Sequence, residues 1–257
     1  MRIARTTQEL RLALGDGRRG LVPTMGAFHD GHLSLMRAAR AECQTVVVSL
    51  FVNPAQFGAG EDLERYPRDE ERDVRLAEEA GVDVLFAPSA EEMYPAGFST
   101  WVDVDATGGE ASARPGHFRG VATICLKLFN LVRPDVAYFG QKDAQQVAVL
   151  RRMVRDLSVG VHIRALPTVR DADGLALSSR NAYLSDAERK QALALPRALE
   201  AARGAADPVG AARAALNGLE PEYLELLTVG DATLLTAAAR VGSTRLIDNV
   251  VVEGELG

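Results

Sequence analysis

Two histidines spaced three residues apart are the first side chains in this chain whose types and spacing could do chemistry. His29 and His32 lie in the segment Pro23–His32, which follows the short apolar run Gly20–Val22 and precedes a helical pattern from Leu33 to Arg40. A helix N-terminus presents free N–H groups and positive partial charge, so it suits phosphate. Imidazoles beside it can donate hydrogen bonds to negative charge on a phosphoryl group. The segment therefore predicts a nucleotide-phosphate site.

Other interpretations of the two histidines have to be weighed. A lone histidine is usually structural or merely exposed. Two near a helix start could also be half of a zinc site, but the four histidines and two separated cysteines of the chain supply no clear set of further ligands. On spacing alone, the structural interpretation and the phosphate site both stay open.

A second candidate follows the β-branched apolar run Thr45–Val52, which predicts a strand buried on both faces of a parallel sheet. Asn53 and Gln56 come directly after it. Ligands of open α/β sheets bind outside the carboxyl ends of the strands, so these amides are placed where a substrate would lie. The alternative is a polar loop in which asparagine serves as a turn former.

A third candidate is Lys142, which follows the predicted strand Val136–Phe139. A lysine at a strand end can neutralise phosphate as a point charge. The neighbouring Asp143 could accept a hydrogen bond from a ribose hydroxyl or cap the next helix. A surface lysine–aspartate pair is the alternative, and the histidine motif earlier in the chain favours function.

A fourth candidate is the glycine-containing loop Asp173–Arg180. Ser178, Ser179 and Arg180 supply two hydroxyls and a guanidinium, a set that suits β- and γ-phosphate oxygens and a loop that closes on them. The alternative is an ordinary turn before a helix.

The elements that must position these residues alternate between strands and helices as far as Pro167, which marks a domain boundary. Within this pattern, Asp69–Ala80 predicts a helix with a solvated charged face, and Trp101–Val104 predicts an edge strand. Residues 107–113 are expected to be irregular. After the boundary, Ser185 and Glu188 form a capping-box start for one helix through about Arg203.

Composition excludes several classes of function. The chain has 257 residues and a formal net charge of −6, which argues against nonspecific nucleic-acid binding. Cys43 and Cys125 lack any CxxC spacing, so two reduced thiols in a cytoplasmic protein are expected. The N-terminal residues show no signal-peptide pattern, and no apolar run approaches membrane-spanning length.

The motifs also resemble a known family. Pro-Thr-Met-Gly-Ala-Phe-His-Asp-Gly-His at 23–32 resembles the signature of HxGH nucleotidyltransferases, and the full match is similar to the pantoate–β-alanine ligases. Similar family segments are Phe-Val-Asn-Pro-x-Gln-Phe at 51–57, Arg-Pro-Gly-His-Phe-Arg-Gly-Val at 114–121, Gly-Gln-Lys-Asp at 140–143 and Ser-Ser-Arg at 178–180. The chain departs from the family at Ala144, which replaces an aromatic residue, and in the approach at 107–113.

The resemblance implies an α/β protein with a Rossmann-like parallel-sheet domain at 1–168 and a smaller C-terminal α/β lid domain at 169–257. It implies an AMP-forming ligase of pantothenate biosynthesis that condenses pantoate with β-alanine through a pantoyl adenylate. ATP with Mg²⁺, a cytoplasmic location and a homodimer are implied as well. Two rivals remain, namely a nucleotidyltransferase that stops at a nucleotidylated product and a catalytically silent nucleotide-binding module.

The resemblance also assigns the site residues. The catalytic residues would be His29, His32 and Lys142. Residues that bind ATP would be Met25, Gly26, Ala27, Phe28, His29, Asp30, Gly31, His32, Gly140, Gln141, Lys142, Asp143, Val169, Leu177, Ser178, Ser179 and Arg180. Residues that bind pantoate or β-alanine would be Pro23, Met25, Asn53, Gln56 and Gln146. The ligands of the metal ion are not identified by the sequence. His117 is expected to position its neighbours or to cap a helix, and not to catalyse.

Overall fold

The two sheets of the structure, a computed structural model that describes residues 1–256, are built from nine strands. The strands are β1 Arg2–Ala4, β2 Arg19–Thr24, β3 Thr45–Leu50, β4 Val84–Phe86, β5 Val136–Gly140, β6 His162–Leu166, β7 Pro221–Val229, β8 Ala232–Val241 and β9 Thr244–Glu253.

The helices flank these strands. They are α1 Thr7–Ala13, α2 Asp30–Glu42, α3 Glu70–Glu79, α4 Ala90–Met93, α5 Gly109–Ala113, α6 His117–Val132, α7 Ala144–Asp156, α8 Asp186–Ala192, α9 Ala194–Ala201 and α10 Pro208–Ala215. Three short 3-10 helices span Pro54–Gln56, Gln141–Asp143 and Ser179–Tyr183.

The first sheet is parallel, with strand order β1-β4-β3-β2-β5-β6. From β2 the chain proceeds through β3 in one direction, whereas β5 and β6 extend the sheet in the other. The strand order therefore reverses between β2 and β5, and ligands of such sheets bind at this reversal. The histidine segment follows β2 and the Lys142 segment follows β5, so the topology brings two of the predicted site segments together.

The local sequence explains the central elements. Every residue of β3 except Leu50 is buried, as expected for a strand covered by helices on both faces. Helix α2 buries Leu33, Leu35, Met36 and Ala39 against the sheet, while Asp30 and Arg37 are exposed. The predicted α/β fold with a parallel sheet is confirmed.

The second sheet is antiparallel, with order β7-β8-β9. One of its apolar clusters packs with α9 and α10 and includes Leu195, Leu199 and Leu235. Val229, Ala232 and Leu234 instead belong to the main apolar cluster beside the parallel sheet. Residues of the second sheet thus contribute to two cores, and the boundary near Thr168 stays a prediction.

Three local predictions were wrong. Trp101–Val104 forms no strand, because the Val102 N–H donates to the Thr123 hydroxyl at 3.0 Å instead of to a neighbouring strand. Residues 107–113 contain the short helix α5, which begins after Gly108 at a φ of 72°. The helix expected from Ser185 to Arg203 is divided at Leu193 into α8 and α9. Pro196 explains the division, because it has no N–H to donate to the carbonyl four residues earlier.

Candidate active site

The histidine turn connects the end of β2 to the start of α2. His29 is the N-cap of α2, and its Nδ1 accepts a hydrogen bond from the Gly31 N–H at 3.2 Å. His32 Nδ1 accepts from the His29 N–H at 3.4 Å, so the two side chains cap the helix reciprocally. A Cβ at Gly31 would lie 2.9 Å from the His29 ring, so only glycine allows this packing.

These contacts define the chemical state of both imidazoles. Because each Nδ1 accepts a backbone N–H, the proton of each neutral ring lies on Nε2. Burial, with a further contribution from Lys142, lowers the pKa of His29 to about 4. Burial, then His29 and Lys142, lowers the pKa of His32 well below its usual range. At neutral pH the site therefore holds two uncharged Nε2–H donors, with ring centroids 4.1 Å apart.

A buried carboxylate on α3 holds the turn before these histidines. Asp73 accepts the backbone N–H groups of Ala27 and Phe28, each at 2.7 Å, and is only 1% exposed. Gly26 and Ala27 have φ values of 87° and 53°, in the left-handed region that disfavours side chains. Most charges of α3 are exposed, as predicted, and Asp73 is an exception that no sequence pattern separated from its exposed neighbours.

A network of amides orients Gln56. The buried Asn53 donates from Nδ2 to Gln56 Oε1 and to the Gly120 carbonyl, each at 3.1 Å. Its Oδ1 accepts from the Tyr94 hydroxyl at 2.8 Å and from the Ala55 N–H at 3.2 Å. These four contacts use the whole amide of Asn53. Because the Oε1 atom of Gln56 accepts from Asn53, the donor of the Gln56 amide is its Nε2 group. This group lies 3.0 Å from the sulfur of Met25. Asn53 therefore fixes the orientation of the Gln56 side chain.

The backbone carbonyl of Gln56 is held by His117, at the start of α6, and by Arg114, which follows α5. His117 Nδ1 lies 2.8 Å from the Gln56 carbonyl, and the Arg114 guanidinium donates to the same oxygen at 3.2 Å. Arg114 also donates to His117 Nε2 at 3.1 Å, so the His117 proton is on Nδ1. Burial and the neighbouring Arg114 lower the pKa of His117 to about 4. The expected positioning role of His117 agrees with these contacts.

Lys142 lies in the 3-10 helix between β5 and α7, with Nζ 3.2 Å from Asp143 Oδ1. Asp143 is the N-cap of α7, but its side chain makes no capping hydrogen bond, so the capping interpretation was wrong. Asn249 on β9 donates to the carbonyls of Gln141 and Lys142 at 2.8 and 2.9 Å. The turn that carries the lysine is thus attached to the C-terminal sheet.

The Ser178–Arg180 segment covers the cleft from the other side. Arg180 makes two hydrogen bonds to Asp62, at 2.8 and 2.9 Å, and Ser179 donates to the Ala27 carbonyl at 3.2 Å. The preceding residues form a tight hairpin in which Leu177 N–H donates to the Val169 carbonyl and Leu175 is buried. Sequence reasoning did not anticipate Asp62 as the partner of Arg180.

A single cleft of ≈ 350 Å³ gathers most of the predicted residues, a volume in the range of small-molecule sites. Its wall includes Pro23, Met25, His29, Gly31, His32, Asn53, Gln56, Gly140, Lys142, Asp143, Gln146, Val169, Leu177, Ser178, Ser179 and Arg180. The other predicted residues, which lie outside this wall, are Gly26, Ala27, Phe28, Asp30 and Gln141.

Two further tests apply to residues 1–256. Within that part of the chain, no three His, Cys, Asp or Glu side chains are grouped to hold a metal ion. None of the helices described is both long and apolar enough to cross a membrane.

The chain is similar to a protein family model and to proteins of known function. The family model described as "Pantoate-beta-alanine ligase" matches residues 2–251. A "Pantothenate synthetase" of Heliobacterium modesticaldum is 56% identical over 256 residues, 91% of each chain. "Pantothenate synthetase 1" of Bradyrhizobium diazoefficiens is 51% identical over 98% of each chain.

Solved structures agree with the sequence relatives. A pantothenate synthetase structure from Thermus thermophilus superposes with a TM-score of 0.94 at 49% identity, covering 99% of this chain and all of that one. A pantoate–β-alanine ligase from Francisella tularensis, described as complexed with beta-gamma ATP and β-alanine, superposes with a TM-score of 0.86 at 33% identity over the full length of both chains. Because the family model and these relatives span nearly the whole sequence, the chain belongs to the pantoate–β-alanine ligase family.

Proposed function

We propose that the cleft joins pantoate to β-alanine in two steps, through an adenylate held by the residues described above. The overall reaction is the ATP-dependent formation of pantothenate that defines the family. In the first step, a pantoate carboxylate oxygen bonds to the α-phosphorus of ATP and the bond to the β-phosphate bridging oxygen breaks, releasing pyrophosphate. In the second, the β-alanine nitrogen bonds to the acyl carbon, loses a proton, and AMP leaves.

The observation that carries this proposal is the meeting of two neutral histidine donors, one lysine and two glutamines in one cleft. Donors fixed before the reaction stabilise charge that develops in the transition state without reorganising, and removing one typically costs ~3 kcal/mol. His29 and His32 offer Nε2–H groups held by backbone contacts, and Lys142 supplies a full positive charge. These three residues address the phosphates.

The two glutamines address pantoate. Because Asn53 occupies the Oε1 atom of Gln56, the Nε2 group remains to donate to an oxygen of the substrate. Gln146 lies on the first turn of α7, close in sequence to Lys142, and lines the same cleft. A substrate bound by both amides would present its carboxylate toward the phosphate donors, as the first step requires.

The side chains of the cleft support an adenylate instead of a covalent acyl-enzyme. Cys125 lines the wall, but burial raises its pKa to about 12, so it is a thiol and a poor nucleophile at neutral pH. The serines of the covering segment, Ser178 and Ser179, are offered to phosphate oxygens. Closure of that segment would exclude water from the mixed anhydride until the amine arrives.

Magnesium enters this proposal on the nucleotide. Mg²⁺ is usually held by one or two carboxylates together with substrate phosphates. The cleft wall contains no three-ligand group among residues 1–256 that would hold the ion without ATP. A Mg²⁺ ion carried by the phosphates of ATP would neutralise charge on the departing pyrophosphate.

Three broader features are part of the same proposal: a division into domains at 1–168 and 169–257, a homodimer and a cytoplasmic location. Supporting the dimer, Trp101 is 41% exposed, stacks with Tyr94 and packs edge-on against Phe98, and these rings offer an apolar surface to a second copy. Supporting the location, Cys43 and Cys125 are both free thiols. Light scattering on the purified protein measures the assembly directly.

The decisive experiment follows labelled pyrophosphate into ATP without β-alanine. Exchange that depends on pantoate is expected, because a bound adenylate and retained pyrophosphate can revert. His32→Ala and Lys142→Ala should each reduce this exchange at least 100-fold with unchanged circular dichroism, in line with the loss of one preorganised donor. Exchange that required β-alanine, or that passed through ADP and phosphate, would contradict the adenylate and favour an acyl-phosphate ligase.

A further inference from the structure

Asn249, on the last strand of the C-terminal sheet, is in contact with the turn that carries Lys142. Its side chain is 2% exposed. Its Nδ2 group donates to the Gln141 carbonyl at 2.8 Å and to the Lys142 carbonyl at 2.9 Å, and its Oδ1 accepts from Gln141 Nε2 at 3.2 Å. A buried amide thus makes three hydrogen bonds to a segment of the chain that is 107 residues away at Lys142.

These contacts fall on the two peptide groups that flank the Lys142 Cα atom. The Gln141 carbonyl belongs to the peptide before it, and the Lys142 carbonyl belongs to the peptide after it. Fixing both peptide planes fixes φ and ψ of the lysine, and therefore the direction of its Cα–Cβ bond. The 3-10 helix Gln141–Asp143 has no side-chain cap of its own, so Asn249 is the side chain that secures it.

Neighbouring charges hold Asn249 itself. Asp248, 3% exposed, accepts the Asn249 N–H at 2.7 Å and a bidentate contact from Arg170 at 2.6 and 3.0 Å. Arg170 also donates to the Gly174 carbonyl at 3.2 Å, within the hairpin that precedes the covering segment. A paired, hydrogen-bonded carboxylate of this kind is costly to disturb, so the strand cannot shift freely.

We propose that Asn249, although it borders the cleft, is a positioning residue for Lys142, and that it acts on adenylate formation by orienting the lysine. The proposal rests on the function proposed for Lys142. A misplacement of about 1 Å caused by a change away from the chemistry can cost ~100-fold in rate. Removing the Asn249 amide should therefore slow the first step while leaving pantoate binding intact.

The test is a double-mutant cycle of Asn249→Ala and Lys142→Ala in the full-length protein, read by pantoate-dependent pyrophosphate exchange. We expect Asn249→Ala to lower the exchange rate 10- to 100-fold in the parent protein, on the same positioning argument, and less than about 2-fold in the Lys142→Ala background. The pantoate KM should change less than about 2-fold, the scale of an uncoupled site.

Two further variants separate positioning from folding. Val250→Ala changes the next residue of β9, which is buried in the C-terminal apolar cluster, and should lower stability with exchange unchanged. Asn249→Ser keeps one donor in a smaller side chain and should give an intermediate exchange rate. If Asn249→Ala does not fold, the exchange rate of Asn249→Ser takes its place in the double-mutant cycle.

The outcomes distinguish the two proposals. The positioning role would be overturned if Asn249→Ala reduced the exchange rate by the same factor with and without Lys142. It would also be overturned if Val250→Ala reduced the exchange rate as much as Asn249→Ala does. Normal exchange in Lys142→Ala alone would instead overturn the role proposed for the lysine. A small effect of Asn249→Ala in the parent protein, together with an inactive Lys142→Ala, would reject Asn249 and leave Lys142 in the mechanism.

Discussion

Replacement of Asp73 by alanine tests whether one carboxylate maintains the histidine turn. The substitution removes the acceptor of two backbone N–H groups, those of Ala27 and Phe28, each bonded at 2.7 Å. It also releases Ala27, whose left-handed backbone conformation is unfavourable for a residue with a Cβ atom. Asp73→Ala should therefore both destabilise the protein and disorganise the residues that precede His29.

The magnitude can be estimated from these contacts. Hydrogen bonds to a charged group contribute about 1.5–3 kcal/mol each to stability. Because the two bonds go to the two oxygens of one carboxylate and are not independent, a combined loss of about 3 kcal/mol in the free energy of unfolding is expected for Asp73→Ala. Asp73→Asn keeps the shape but offers one acceptor atom, so about 2 kcal/mol is expected. Glu79→Gln, an exposed change on the same helix, should stay within about 0.5 kcal/mol.

Urea unfolding at pH 7 measures the stability of the three variants, and calorimetry measures their affinity for ATP. Asp73→Ala should bind ATP at least 10-fold more weakly than Glu79→Gln does. A disordered histidine turn would lose hydrogen bonds to the nucleotide, and each such bond contributes about 1 kcal/mol or more. A loss of stability below about 1 kcal/mol for Asp73→Ala, with ATP affinity preserved, would refute the reasoning, since the turn would then hold itself without the carboxylate.

Three other expectations address different parts of the cleft. Gln56→Ala should raise the KM for pantoate about 5- to 100-fold and leave the KM for ATP unchanged. The reason is that a pantoate oxygen left without its hydrogen-bond donor in the buried cleft costs ~1–3 kcal/mol. Equal effects on both substrates would contradict the role of Gln56 in binding pantoate. The pKa values of His29 and His117 are lowered from 6.5 to about 4, so the unfolded chain binds protons that the native protein does not. The stability that these two histidines contribute should thus be present above about pH 6.5 and be lost towards pH 4, by about 2–3 kcal/mol per histidine, and His117→Gln should show a shallower decline in urea titrations. Asp62→Asn should release Arg180 and accelerate hydrogen exchange at residues 178–183, with protection restored by ATP; unchanged exchange would show that the pair does not hold the segment.

Local patterns in the sequence predicted the parallel sheet because its strands and helices carry strong periodicity. The apolar run of β3, which is buried except at Leu50, and the apolar stripe of α2 each match one type of element. The motifs that follow β2 and β5 lie side by side where the strand order reverses. Their proximity is a consequence of the sheet topology and not of the local sequence. The candidate site was therefore predictable to the extent that it lies on consecutive residues.

Contacts between distant segments were not predictable. Asp73 looks like its exposed neighbours on α3, and only the fold places it beneath the turn at Ala27. Asn249 reaches Lys142 across 107 residues, which no spacing rule encodes. Strand β8 was missed because its alanine-rich sequence has low β propensity, and its conformation comes from pairing with β7 and β9. Tertiary context thus decided what local propensity could not.

The apolar cluster that unites the two sheets has a thermodynamic consequence. Val229, Ala232 and Leu234 belong to the same cluster as Leu21 of β2 and Phe139 of β5. Neither sheet can then melt without exposing apolar surface of the other, so the chain should unfold cooperatively, in one transition. A fragment ending after β6 would leave that surface bare and would be prone to aggregate, however complete its parallel sheet.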